Sequence, residues 1–310
     1  MQFSKTLILG LLFISAQLQA ATPPTSTRAN AKPVTDSTRN SGNVIFDETG
    51  VFVASADAMP VDHFGEKMKR SGVKWLALQI DNTGNKRDDN IAAIQRGWAD
   101  SWRKAGFKVG FWGCPRGVAK HYDQASVDAA IPYVQADAAL GANLTAKYHG
   151  EFYIADCEDG YQWYGPKDPT PALNRVYIDA FTKAADAAGI SKIPRSLSSE
   201  GRVALDMQPW IQAGWDAMPQ AYWNSYAVYQ PSLCVDFYVK ETGWPIGRVH
   251  PTIATYTGEG ENRKVTLEQY AADLSTRNTR GFSFYLPESY LKSDESAYQQ
   301  LAAMSARKHH

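Results

Sequence analysis

The chain has 310 residues, 44% hydrophobic and 21% charged, with as many acids as lysines and arginines together. That is enough apolar chain for one large core. With a formal net charge of zero there is no general pull toward nucleic acid or an acidic membrane surface, so neither is an expected partner.

Residues 1–20 read as a signal peptide. Lys5 supplies the positive start, TLILGLLFISA is an apolar run too short to span a bilayer comfortably, and LQA ends at Ala20 on a small-residue cleavage site. No cysteine follows the cleavage site, which argues against a lipid anchor. The mature chain is therefore expected to be exported, periplasmic or extracellular, with no stable membrane span. Residues 21–43, rich in Ser, Thr, Pro and Asn, read as a flexible leader, and residues 44–310 as one domain.

From there short β-rich runs alternate with segments of helical period. A strand over 50–57 leads to a helix over 61–72, and a strand over 73–81 leads to a helix over 89–106, where Ile91, Ile94, Trp98 and Trp102 share one face. The strand at 107–113 precedes a helix over 126–143, and FYIA at 152–155 precedes a helix over 171–189 whose face carries Leu173, Tyr177, Phe181 and Ala184. The rhythm continues with strands at 193–199, 219–224, 249–256 and 281–288, and helices over 206–218, 232–244, 266–281 and 296–308. Repeated β-then-α alternation argues a parallel sheet with crossover helices, and eight such units in about 260 residues argue closure into an α/β fold of the (β/α)8 TIM-barrel type. An open doubly wound sheet would call for a Gly-rich phosphate loop after the first strand, and none is present.

Cys114, Cys157 and Cys234 are odd in number and lack CxxC spacing, so small buried residues with at most one bridge are expected, not a zinc site. His63, His121, His149 and His250 share no metal-ligand spacing. No metal or organic cofactor is expected.

Barrel chemistry sits where strands end and βα-loops begin. The expected strand ends carry Asp57; Gln79 and Asp81; Trp112; Asp156 and Glu158; Ser198 and Glu200; Gln220, Tyr222, Trp223 and Asn224; Thr255 and Tyr256; and Tyr285 and Glu288, with Tyr161 just beyond the fourth. Acids, amides and aromatic rings together fit a saccharide, whose C–H faces pack on rings and whose hydroxyls need polar partners. Asp156-Cys157-Glu158 is the sharpest element. Residues two apart on a strand share a face, so both acids point one way and Cys157 the other. Two close carboxyls cannot both ionise cheaply, and one becomes a proton donor near neutral pH. Glu158, nearer the open end, is expected to be that acid, with Asp156 as its deeper partner.

These residues resemble glycoside hydrolase family 25, the lysozyme-like muramidases, in pairing an Asp at the first strand's end with D-x-E at the fourth's. Family 18 chitinases also carry a fourth-strand D-x-E. MPQAYWN and VHPTI look like a set of glycoside-hydrolase-like barrels from bacteria and phages. The resemblance implies Glu158 as acid/base, Asp156 as partner steadying a substrate N-acetyl group, Asp57 as the first-strand carboxylate, and peptidoglycan or another N-acetylated glycan as partner. The order Val53-Ala54-Ser55-Ala56-Asp57 departs from the compact G-[IV]-D-V-S opening of the muramidases. A carbohydrate-binding barrel that does not cleave would use the same aromatic rim, and an amidase or metal-dependent deacetylase is a third reading.

Overall fold

The structure is a computed structural model that describes residues 41–81, 86–115, 124–158, 170–202, 207–254 and 264–285. These residues fall in one compact unit. The signal peptide, nearly all of the leader and the helix expected over 296–308 lie outside them. Among the described residues no helix is long and apolar enough to cross a membrane.

Eight strands, β1 (Thr49–Val53), β2 (Val73–Asp81), β3 (Lys108–Gly113), β4 (Tyr153–Asp156), β5 (Arg195–Glu200), β6 (Asp216–Ala221), β7 (Thr252–Ala254) and β8 (Phe282–Tyr285), close into a barrel in sequence order. Every neighbouring pair is parallel, and β8 returns to β1 through Thr49 opposite Phe282. Around it stand α1 (Val61–Arg70), α2 (Lys86–Gln95), α3 (Trp98–Lys104), α4 (Gln124–Lys147), α5 (Thr170–Ala187), α6 (Gln208–Gln212), α7 (Pro231–Lys240) and α8 (Leu267–Leu274). The expected (β/α)8 barrel is the fold of the chain.

Strands buried on both faces feed two cores. Outward residues such as Val51, Val53, Leu76, Leu78, Val109, Phe111, Tyr153 and Phe284 pack against the helices. Inward residues Phe52, Trp75, Ala77, Trp112, Phe152, Ile154 and Met218 fill the barrel. Large rings need small facing positions. A Cβ on Gly50 would lie 1.8 Å from the Trp75 ring, so glycine is what admits that indole to the interior.

The N-terminal end of the barrel is closed by Phe46, which precedes β1 in a 3-10 turn and meets Trp75 at 5.9 Å and Phe152 at 5.5 Å between ring centroids. Beside it lies a fully buried charge cluster. Arg248 Nε donates to Asp216 at 3.2 Å, and His250 Nε2 lies 3.0 Å from the other carboxylate oxygen. Arg248 also donates to the carbonyls of Trp215 and Ile211.

Two expected helices are corrected. The single helix over 89–106 is broken into α2 and α3 at Gly97, which adopts φ 95°, a left-handed conformation that glycine enters without steric cost. Tertiary bonds hold the second piece: Trp98 and Trp102 both donate their indole N–H to Met59 C=O, at 3.0 and 3.2 Å. The helix over 206–218 stops at Gln212; Gly214 takes φ 79°, and Asp216, Ala217 and Met218 belong to β6. All three cysteines are buried and unbridged.

Candidate active site

β4, β5 and β6 build the site through their inward residues. Register places Asp156 opposite Ser198, and Glu200 opposite Gln220. Ser198 Oγ donates to Asp156 Oδ1 at 2.5 Å. The Gln220 amide nitrogen donates to Asp156 Oδ1 at 3.0 Å and also to Glu158 Oε1. One amide thus bridges both acids of the D-x-E. Cys157 turns outward into the layer beneath the helices, as the two-residue period requires.

Depth separates the two acids. Asp156 is 7% exposed, and burial pushes its carboxyl well above the ordinary aspartate range, with the charges of Glu158 and Glu200 adding to the rise. The hydrogen bonds from Ser198 and Gln220 oppose that shift but are smaller than the burial effect. The sequence led us to expect the proton on Glu158. Burial favours the neutral form of Asp156, which lies inside the strand, while Glu158 lies beyond its end and is half-buried. Glu200 stands at the end of β5, within 3.3 Å of Ser199 Oγ. Among the described residues no group of three or more His, Cys, Asp or Glu side chains could hold a metal ion.

An aromatic set lies at the same end of the barrel. Tyr222 stacks on Tyr285 at 6.0 Å and 21°, and Tyr285 meets Trp112 at 6.1 Å and Phe52 at 6.4 Å. Trp112 is almost completely buried, its indole N–H donating to Val53 C=O at 3.1 Å, so Tyr222 and Tyr285 present the accessible rings. Gln79 is buried on β2 beside Trp112.

Other expected site residues are placed elsewhere. Asp57 is a correction: its side chain is 77% exposed and pairs with Arg96 at 3.7 Å, because the chain leaves β1 after Val53 and enters a 3-10 turn before reaching it. Trp223 packs in the outer layer, edge-on to Tyr270 at 5.7 Å, since it neighbours the inward Tyr222 and so faces the helices. Asn224 is buried as a brace: its N–H donates to Tyr270 Oη at 3.1 Å and its side chain to Ala254 C=O at 3.4 Å. Asp81 ends β2, with its side chain outside the described residues, as are Tyr161, Tyr256 and Glu288. Ser198, expected among the strand-end residues, joins the site through its bond to Asp156. Its signal was the period-two run Ser196, Ser198, Glu200, which puts three polar side chains on the inner face of one strand.

Neither a family model nor a curated protein matches the sequence. Solved structures do. A chitinase from Bacteroides thetaiotaomicron aligns with a TM-score of 0.60 at 9% identity, over 84% of this chain and 96% of its own. A family 18 chitinase from Pseudoalteromonas aurantia gives 0.59 at 11%, over 83% and 99%. A broad-specificity endoglucanase of family 5 from Clostridium longisporum gives 0.59 at 14%, over 87% and 100%. At such identities the likeness is one of fold: the chain is a (β/α)8 barrel of the kind found in glycoside hydrolases.

Proposed function

We propose that the protein is an exported glycoside hydrolase that cleaves an N-acetylated glycan, with peptidoglycan as substrate, in the manner of the family 25 muramidases. The observation that carries this reading is the shared amide: Gln220 holds Asp156 and Glu158 together at the mouth of the barrel. Polysaccharide cleavage needs an acid at the leaving oxygen and a second polar group near the anomeric carbon, and these two acids supply both. The chitinases and the endoglucanase of the same fold act on polysaccharides, which supports the substrate class.

The two carboxyls titrate as one dyad. In the free protein the proton rests on Asp156, where burial favours the neutral acid. Glycan lying over Glu158 strips its water, raises its proton affinity and draws the proton across. Glu158 then gives that proton to the glycosidic oxygen as the bond from C1 to oxygen breaks. The resulting carboxylate later takes a proton from the water that adds at C1, and the dyad is restored. Asp156 steadies the N-acetyl group of the sugar at the cleavage point, and the Tyr222–Tyr285 stack receives a pyranose face.

The test is release of reducing ends from purified cell wall by the wild type and Glu158→Gln, beside a wall-sedimentation assay. Release by the wild type and its loss in the variant support the assignment. Unimpaired release by the variant removes Glu158 from the role. Sedimentation of the wild type with wall but without reducing ends assigns a binding barrel instead. Export is checked by N-terminal sequencing of the mature protein, expected to begin at Ala21.

A further inference from the structure

Ser198 has no part in the cleavage steps above, yet its hydroxyl makes the shorter of the two bonds to Asp156. Register sets it opposite Asp156, and the strands are tied beside the pair. Cys157 N–H donates to Ser198 C=O at 3.0 Å, and Ser199 Oγ donates to Cys157 C=O at 2.8 Å. Ser198 is 2% exposed, so two strands and not a surface loop fix its place.

Hydrogen-bond counting separates the two oxygens of Asp156. Ser198 Oγ donates to Oδ1 at 2.5 Å, and the Gln220 amide nitrogen donates to the same Oδ1 at 3.0 Å. Among the described residues no hydrogen bond reaches Oδ2. Gln220 also donates to Ser198 Oγ at 3.3 Å, so the serine hydroxyl accepts from the amide and gives its single proton to Asp156. Two donors fill the two lone pairs of a carboxyl C=O oxygen. A proton on Oδ1 would have to reverse the 2.5 Å bond and send the serine hydrogen to another acceptor, in a position that water barely reaches.

We propose that Ser198 is a positioning residue: together with Gln220 it makes Oδ1 the carbonyl oxygen of the neutral Asp156 acid and assigns the proton to Oδ2. The use of that proton rests on the hydrolase reading above. Oδ2 is the atom whose O–H bond breaks when the proton passes to the Glu158 carboxylate, and the electron pair stays on Asp156. The ionisable groups acting on Asp156 are Glu158, beyond the end of its own strand, and Glu200 from β5. Cys157 lies on the other face of β4, and β6 contributes the neutral Gln220.

The experiment needs no substrate. Protein labelled with 13C at its aspartate carboxyls is followed by infrared spectroscopy at about pH 6, where ordinary aspartates are ionised and the C=O stretch of a protonated one stands apart. Asp156→Asn identifies the band. Ser198→Ala takes one donor from Oδ1, so the stretch is expected to move to higher frequency. The midpoint of its loss on titration should rise by about one pH unit, because the missing bond favoured the ionised form. Ser198→Thr keeps the hydroxyl and should hold both at their wild-type values. Gln220→Leu removes the second donor and reads the same oxygen, so it decides the matter if Ser198→Ala does not fold. The proposal is overturned by a stretch that stays in place when either donor is lost, by a shift as large in Ser198→Thr as in Ser198→Ala, or by a wild type with no protonated band. Release of reducing ends from cell wall, expected to fall about tenfold in Ser198→Ala, is read separately. If the wild type releases none, the hydrolase reading fails, and the infrared result still decides which oxygen carries the proton.

Discussion

Asp216 at the floor of the barrel and Asp156 at its mouth are both buried aspartates on inward strand positions, yet their partners differ in kind. Asp216 is met by the Arg248 guanidinium at 3.2 Å and by His250 at 3.0 Å, in a cluster at most 1% exposed. Asp156 is met by a hydroxyl and an amide, and its charged neighbours are two more acids, Glu158 and Glu200. Opposite charge compensates the carboxylate at the floor, which ties β6 to the segment leading into β7. At the mouth, with neutral donors and like charges, the cheap solution is to keep a proton. The floor joins strands, and at the mouth burial favours a protonated Asp156.

Four substitutions would break or sharpen that contrast. The largest effect is expected from Glu158→Gln, which should lower turnover by about 10³-fold, equivalent to ~4 kcal/mol of transition-state stabilisation, with little change in melting temperature. Arg248→Met should do the reverse. It leaves Asp216 buried without its guanidinium and should cost about 3 kcal/mol of stability by urea unfolding, while activity per folded molecule is retained. A variant as stable as the wild type would show that the floor cluster does not bind the strands together. Gln220→Leu removes the amide that bridges the two acids and should lower kcat by roughly 30-fold, about 2 kcal/mol, while shifting the pH profile, because the dyad loses a donor to its charged form.

Asp156→Asn should give a small gain in stability, and its pH dependence is the diagnostic part. A carboxyl whose folded pKa is raised keeps its proton in the folded chain while the unfolded chain loses it near the ordinary value of 3.8. The wild type therefore loses stability as pH rises above that value, until the folded carboxyl itself ionises. The amide variant carries no such proton. Its melting temperature should exceed that of the wild type by roughly 3 °C near pH 7, and the difference should shrink toward pH 4. A constant difference across that range would mean that Asp156 is ionised in the folded protein, and the contrast with the floor would disappear.

Parts of this arrangement were legible in the sequence because they depend on local period. The run FYIAD, with strand-forming residues up to Asp156, marks β4, and the spacing of Asp156 and Glu158 places both on one face. Gln220 and Tyr222 share a face for the same reason and lie at the mouth as expected. Asp57 was misread because first-strand periodicity does not reveal where a strand stops. β1 ends at Val53, and the residues after it turn outward. Helical period over 89–106 likewise hid Gly97, since a pattern of apolar residues survives a break that keeps both pieces against the same surface.

By itself the sequence determined the alternation of strand and helix, hence the closed parallel barrel, and the nearness of two acids at the end of one strand. Both follow from the short-range geometry of the backbone, which any run of these residue types obeys. Only the tertiary structure decided how strongly the proton affinity of Asp156 is raised. That balance depends on the opposing hydrogen bonds of Ser198 and Gln220, 42 and 64 residues away along the chain, which reach Asp156 through the register of β4, β5 and β6. It depends also on the depth at which the strand buries its last residue. Burial and register are properties of the closed cylinder, and no segment of the chain carries them alone.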